Sequence, residues 1–132
     1  MGLLFQDPLL FPHLSVGGNL MFGLTPETKG YADRHQAVET ALSHVGMSEF
    51  LDRDPATLSG GQQARVALMR TLLSRPSALL LDEPFSKLDS ARRGQVRELV
   101  FNEARQRGLP VLLVTHDVAD AKAAGGPCIE LT

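Results

Sequence analysis

Two unbroken apolar tetrads, Ala78-Leu79-Leu80-Leu81 and Val111-Leu112-Leu113-Val114, restrict this chain more than anything else in it. Continuous apolar runs this short suit strands buried on both faces, as in a parallel sheet. Parallel strands need a crossover, and a helix-period pattern lies between them: Val96, Leu99 and Val100, with Ser90 as the expected cap and Gly108-Leu109-Pro110 as the stop. Strand, crossover helix and strand place the chain in the α/β class, around a parallel sheet with flanking helices.

The remaining elements follow from the same periodicities. Met1 to Phe5 reads as a third short buried strand, ended by Asp7-Pro8 and followed by a Pro-containing loop over 6–17. Val16 to Leu24 reads as a short helix broken by glycines. Val38, Ala41, Leu42 and Val45 mark an amphipathic helix over about 31–45, stopped at Gly46. After a loop over 52–58 containing Pro55, the residues Val66, Leu68, Met69, Leu72 and Leu73 define a helix over about 60–74 that ends before Pro76. A helix near 117–124 and a last strand over about 128–132, entered through Gly125-Gly126-Pro127, complete the expectation.

Composition removes several function classes. A formal net charge of -2 over 132 residues supplies no positive field for nucleic acid or an anionic membrane surface. The single cysteine, Cys128, excludes an internal disulfide framework, and the 4 histidines stand apart from it and from one another. The apolar first 24 residues are interrupted by Gln6, Asp7, Pro8 and Pro12, which a secretory signal would not tolerate, and no run approaches the roughly 18 apolar residues of a membrane span.

Three constellations carry chemistry. In Leu58-Ser59-Gly60-Gly61-Gln62, Ser59 and Gln62 have the spacing of a capping box at a helix start. Capping leaves Gly60 and Gly61 unexplained, since each weakens a helix by about 1 kcal/mol relative to alanine. An anion approaching the backbone amides of that helix end would explain them. In Asp82-Glu83-Pro84, paired acids close a buried strand where α/β sheets bind ligands; they are either an ordinary polar strand end or a pair in which Asp82 holds Mg²⁺ through water and Glu83 polarises an attacking water. In Thr115-His116-Asp117, His116 is either a polar loop residue or, if the two strand ends are neighbours, a partner of Glu83.

Taken in order, these motifs resemble the ATP-binding subunit of an ABC (ATP-binding cassette) transporter of the importer type. Leu58-Ser59-Gly60-Gly61-Gln62, continued by Gln63-Ala64-Arg65-Val66-Ala67-Leu68, is similar to the family signature; Asp82-Glu83-Pro84 to the Walker B end; Ser86-Lys87-Leu88-Asp89 to the D-loop; His116 to the switch histidine; and Phe5-Gln6-Asp7 with Phe11-Pro12-His13-Leu14-Ser15-Val16 to the Q-loop region. The resemblance implies a partial P-loop NTPase (RecA-like) fold: a strand and Q-loop over 1–16, a helical subdomain with the signature over about 17–75, and an α/β core over about 76–132. It implies ATP and Mg²⁺ as cofactors. Gln6 and Asp82 would attend the metal, Glu83 would be the general base and His116 would contact the γ-phosphate. Ser59, Gly60, Gly61 and Gln62 would serve the nucleotide of a second ATPase subunit in a head-to-tail dimer, with Asp89 linking the two sites. The surface around 11–24 would meet a membrane-spanning permease. No nucleic acid partner and no direct membrane insertion are expected. The subunit would be bacterial and cytoplasmic, peripheral to the inner membrane through the permease. Lys87 departs from the small residue many relatives carry in the D-loop.

The phosphate-loop motif G-x-x-x-x-G-K-[ST] does not occur in this sequence: Lys29, Lys87 and Lys122 follow Thr28, Ser86 and Ala121. In the family that loop precedes the Q-loop, so the chain looks like the C-terminal part of the subunit, truncated before it. Weak intrinsic ATP binding, exposed apolar surface at an unpaired sheet edge and low stability are then expected. The alternative is a non-enzymatic half-module that lends its signature motif to a complete partner ATPase. Chromosome-maintenance and DNA-repair ATPases share the signature and Walker B pairing, but they separate the Q-loop from the signature by a long coiled coil. No sustained heptads lie between Gln6 and Ser59.

Overall fold

The computed structural model describes residues 2–4, 10–24 and 30–129. Its centre is a parallel three-stranded sheet, in the order β1 (Gly2–Leu4), β2 (Leu79–Asp82), β3 (Val111–Val114). Leu3 pairs with Leu80, and Leu80 with Leu112, so the strands share one register, and β2 and β3 end together at Asp82 and Val114. In β2, Leu79 and Leu81 are fully buried, as the apolar run requires. Expecting β3 to be buried as well was wrong. Leu112 is 63% and Val114 48% exposed, because β3 is the outer strand of the described sheet and only its Val111/Leu113 face packs on the core.

Among the described residues five helices surround the sheet: α1 (Val16–Gly23), α2 (Tyr31–His44), α3 (Gly60–Leu73), α4 (Ser90–Arg107) and α5 (Val118–Ala124). Single 3-10 turns at Ser48–Phe50 and Pro55–Thr57 occupy the stretch between α2 and α3. α3 is the central helix. Ala64 to Met69 is buried without a break, its apolar side chains joining Leu20 of α1, Val38 and Leu42 of α2, Leu81 of β2 and Val96 and Val100 of α4 in one core. Each of the larger side chains contributes roughly 1.5–3 kcal/mol by leaving water. Phe85 and Phe101 meet edge to face at 5.8 Å beneath the sheet's C-terminal end.

Three further expectations need correction. Asp89, not Ser90, caps α4: its carboxylate accepts the Arg92 backbone N–H at 2.9 Å, and Ser90 is already helical. The glycines do not break α1. A Cβ on Gly17 would lie 2.7 Å from Leu51 Cδ1 and 2.9 Å from its carbonyl oxygen, so the glycine permits the 51–53 segment to lie directly on the helix. Cys128 and Ile129 form no strand, and residues 130–132 of that expected element lie outside the described residues.

Candidate functional site

Two sites form at the C-terminal end of the sheet and at the start of α3. At the first, β2 and β3 are direct neighbours, so the residues that follow them converge. The Glu83 N–H extends the ladder by donating to the Val114 carbonyl at 2.8 Å. Glu83 Oε1 accepts the His116 backbone N–H at 2.7 Å and also pairs with the His116 ring at Nδ1. The adjacency that the sequence left open is thus present. The Glu83 side chain is largely buried, at 11% exposure, whereas the His116 ring is 97% exposed and projects outward. Glu83 adopts a φ of 46°, a left-handed conformation unusual for a residue with a side chain. Asp82 is exposed at the end of β2, and its carboxylate makes no hydrogen bond or ion pair among the described residues, so it is open to a hard cation such as Mg²⁺.

The second site is an open cleft of about 480 Å³ between the start of α3 and the turn that leads into α4. The capping box is present: Ser59 Oγ accepts the Gln62 N–H at 3.2 Å, and Gln62 Oε1 accepts the Ser59 N–H at 3.0 Å. The N–H groups of Gly60 and Gly61 have no acceptor among the described residues. Gly61 has a packing reason as well, since a Cβ there would meet the Lys87 carbonyl oxygen at 3.0 Å. Arg65, Arg92 and Asp89 line the same cleft. Arg65 is 8% exposed. Its guanidinium donates to the Val45 carbonyl at 2.8 Å, and its Nε is buried without a partner among the described residues. Burial lowers its pKa, Arg92 lowers it further by repulsion, and Asp89 opposes both. Two arginines and a helix N-terminus with two unengaged amides suit an anion with several oxygens.

The structure therefore joins Glu83 to His116, and Ser59, Gly60 and Gly61 to Asp89, which also caps α4. Gln62 is committed to the capping box. Gln6 lies outside the described residues. No group of three His, Cys, Asp or Glu side chains converges among the described residues. Sequence reasoning missed a cluster beside the first site. Asp120 of α5 is fully buried and accepts from Arg93 at 2.5 and 3.3 Å and from Arg97 at 2.9 Å. Arg93 and Arg97 are four apart on α4, and that spacing on one helix face was the available signal.

The sequence matches the family described as "ABC transporter" over residues 1–86. The chain belongs to the ABC transporter family. It is 54% identical over 123 residues to the uncharacterized ABC transporter ATP-binding protein YnjD of Escherichia coli K12, covering 93% of this chain and 56% of that protein. It is 49% identical over 121 residues to the thiamine import ATP-binding protein ThiQ of Vibrio parahaemolyticus, covering 92% and 52%. Two dimeric structures of the ABC transporter cassette MJ0796 superimpose with TM-scores of 0.84 and 0.82, at 30% and 29% identity. They cover 93% and 92% of this chain and 55% and 54% of that cassette, and the second holds ADP and Pi. The chain spans about half the length of these relatives. The α/β fold is thus a partial ABC-cassette, P-loop NTPase fold. No helix among the described residues is long and apolar enough to cross a membrane.

Proposed function

We propose that this chain supplies the Walker B, switch-histidine, D-loop and signature parts of an ATPase that drives import through a membrane-spanning permease. The carrying observation is the Glu83–His116 pair at the ends of adjacent parallel strands. Glu83 takes a proton from the attacking water through the carboxylate oxygen that His116 leaves free, while His116, held by Glu83 at its backbone, turns its exposed ring toward the γ-phosphate. Asp82, with Gln6, would hold Mg²⁺, and the ion would supply positive charge to the phosphates. ATP hydrolysis also needs a loop that wraps the phosphates, and this sequence contains no such motif; these residues turn over ATP only in combination with one.

The cleft at Ser59, Gly60 and Gly61 receives the nucleotide of a second ATPase subunit in a head-to-tail dimer, with Gln62 fixing the helix start and Asp89 standing between the sites. On this reading 1–16, about 17–75 and about 76–132 are the Q-loop strand, the helical subdomain and the α/β core, and the face around 11–24 meets the permease. The protein works in the cytoplasm at the inner membrane. The thiamine and molybdenum importers among its relatives support the importer class.

The test is ATP turnover in the assembled transporter. Glu83→Gln should cut turnover by about 10²–10⁴-fold while ATP still binds, as expected on removing a general base. Turnover within twofold of wild type would refute the assignment. The alternative is a half-module that lends only its signature helix, and the cleft lined by Ser59, Gly60, Gly61 and Asp89 is the observation that supports it. In that case Ser59→Ala abolishes stimulation of the partner ATPase and Glu83→Gln leaves it intact.

A further inference from the structure

Asp120 is the one fully buried carboxylate among the described residues. Two guanidinium groups converge on it: Arg93 reaches both carboxylate oxygens, and Arg97 donates to Oδ1 at 2.9 Å. Both arginines belong to α4, whereas Asp120 belongs to α5, so the cluster bolts one helix to the other. It also grips the turn between β3 and α5. Thr115 Oγ1 lies 3.4 Å from Asp120 Oδ2, and the same hydroxyl accepts the Asp117 N–H at 3.0 Å. Asp117 Oδ1 accepts the Asp120 N–H at 2.9 Å, and its other oxygen lies 3.5 Å from Arg93. His116 sits inside this turn, flanked by residues that are both tied to the cluster.

A buried ion pair is poor evidence of net stability, because apolar side chains of similar volume often serve as well. It does impose one register between the elements it joins, since a displaced guanidinium would leave Asp120 charged and unpaired. Here the joined elements carry the two candidate sites. Asp89, the cap of α4, stands on the wall of the signature cleft, and the turn carries His116, which is bound to Glu83.

We propose that Asp120, through Arg93 and Arg97, is a positioning residue that locks the His116 turn to α4, so that the Glu83–His116 pair and the signature cleft move as one body. Arg93 and Arg97 share the role; none of the three touches substrate. The proposal rests on the function assigned above to His116, but its structural part can be measured without any ATP turnover.

The experiment is amide hydrogen exchange on the protein followed by NMR, with ATP turnover measured in parallel on the assembled transporter. Asp120→Asn should raise exchange at His116 and Asp117 by about tenfold or more, while Val66 and Leu68 in α3 keep wild-type rates. Asp120→Glu should restore part of the protection. Leu42→Ala, a core truncation away from the cluster, should leave His116 exchange unchanged, which separates positioning from general loss of stability. Should Asp120→Asn fail to fold, Arg97→Met, which leaves Arg93 on the carboxylate, should give a smaller rise at the same amides. Turnover should fall in kcat with KM for ATP unchanged. Wild-type exchange at His116 in a folded Asp120→Asn or Arg97→Met protein would overturn the proposal. Raised exchange in a protein that shows no turnover even as wild type would uphold the lock and overturn the ATPase assignment alone.

Discussion

Asn19 offers the sharpest test of how the segment before α1 is held. Its side chain is fully buried, yet it engages five groups. Oδ1 accepts the Phe11 N–H at 2.8 Å and an Arg70 Nη1 hydrogen at 3.2 Å. Nδ2 donates to the carbonyls of Phe11, Leu14 and Ser15 at 3.2, 3.4 and 3.0 Å. Asn19→Ala removes all five, but the losses are unequal. The Phe11 carbonyl still accepts from the Leu14 N–H, and the Ser15 carbonyl from the Asn19 N–H, so these acceptors stay satisfied. The Phe11 N–H has no other acceptor among the described residues, and stranding it costs about 1–3 kcal/mol. Adding a fraction of a kcal/mol net for the other bonds gives a loss of about 2–4 kcal/mol. A water molecule in the vacated space would bring the cost to the lower end. Urea unfolding followed by far-ultraviolet circular dichroism measures it. Asn19→Asp provides the control: it keeps an acceptor for the Phe11 N–H and gains an ion pair with Arg70, but sets a charged oxygen against three carbonyls, so it too should be less stable than wild type. A loss below about 0.5 kcal/mol for Asn19→Ala, or an aspartate as stable as wild type, would refute this account of Asn19 as a hub.

Gly17→Ala should destabilise by about 1–3 kcal/mol despite alanine's higher helix propensity, because its Cβ would press on both the Leu51 side chain and its carbonyl; an unchanged urea midpoint would mean that the 51–53 segment yields freely. Burial alone would raise the Asp120 pKa, but hydrogen bonds from Arg93 and Arg97 outweigh it and hold the carboxyl below its ordinary value. A depressed folded-state pKa contributes stability that is complete above the unfolded value of about 3.9 and is lost as pH falls through the folded one. Urea midpoints at pH 7, 5 and 3 should therefore fall more steeply for wild type than for Asp120→Asn, and parallel curves would contradict the shift.

What the sequence revealed and what it concealed divide along the range of the interactions. The capping box of Ser59 and Gln62 spans three residues and was legible, as was the crossover between two apolar tetrads. The cap of α4 was misplaced by one residue because Asp89 and Ser90 are both competent caps, and only backbone geometry chooses between them. Leu-Leu-Leu-Asp and Val-Leu-Leu-Val look alike as sequence. Whether one face or both are covered depends on neighbours elsewhere in the chain, which is why β3 was read as buried. The Asp120 cluster joins residues 27 apart; the four-residue spacing of Arg93 and Arg97 marks one helix face, but nothing local names the partner of that face.

Backbone strain was equally invisible, and it separates two residues that share a left-handed conformation. Arg75 has a φ of 48° and Glu83 one of 46°. Arg75 follows the cap of α3, where a left-handed residue is a common way to leave a helix. Glu83 ends no helix. It follows β2 directly, and a left-handed conformation there costs of order 1–2 kcal/mol. The ladder bond to Val114 and the grip of its carboxylate on the His116 N–H hold it in place. An extended Glu83 would continue the alternation of β2 and send its side chain to the face opposite Asp82. The left-handed turn departs from that alternation and delivers the carboxylate to the end of β3 beside the histidine. A strained residue held in place by its surroundings is what the catalytic role proposed above for Glu83 would require.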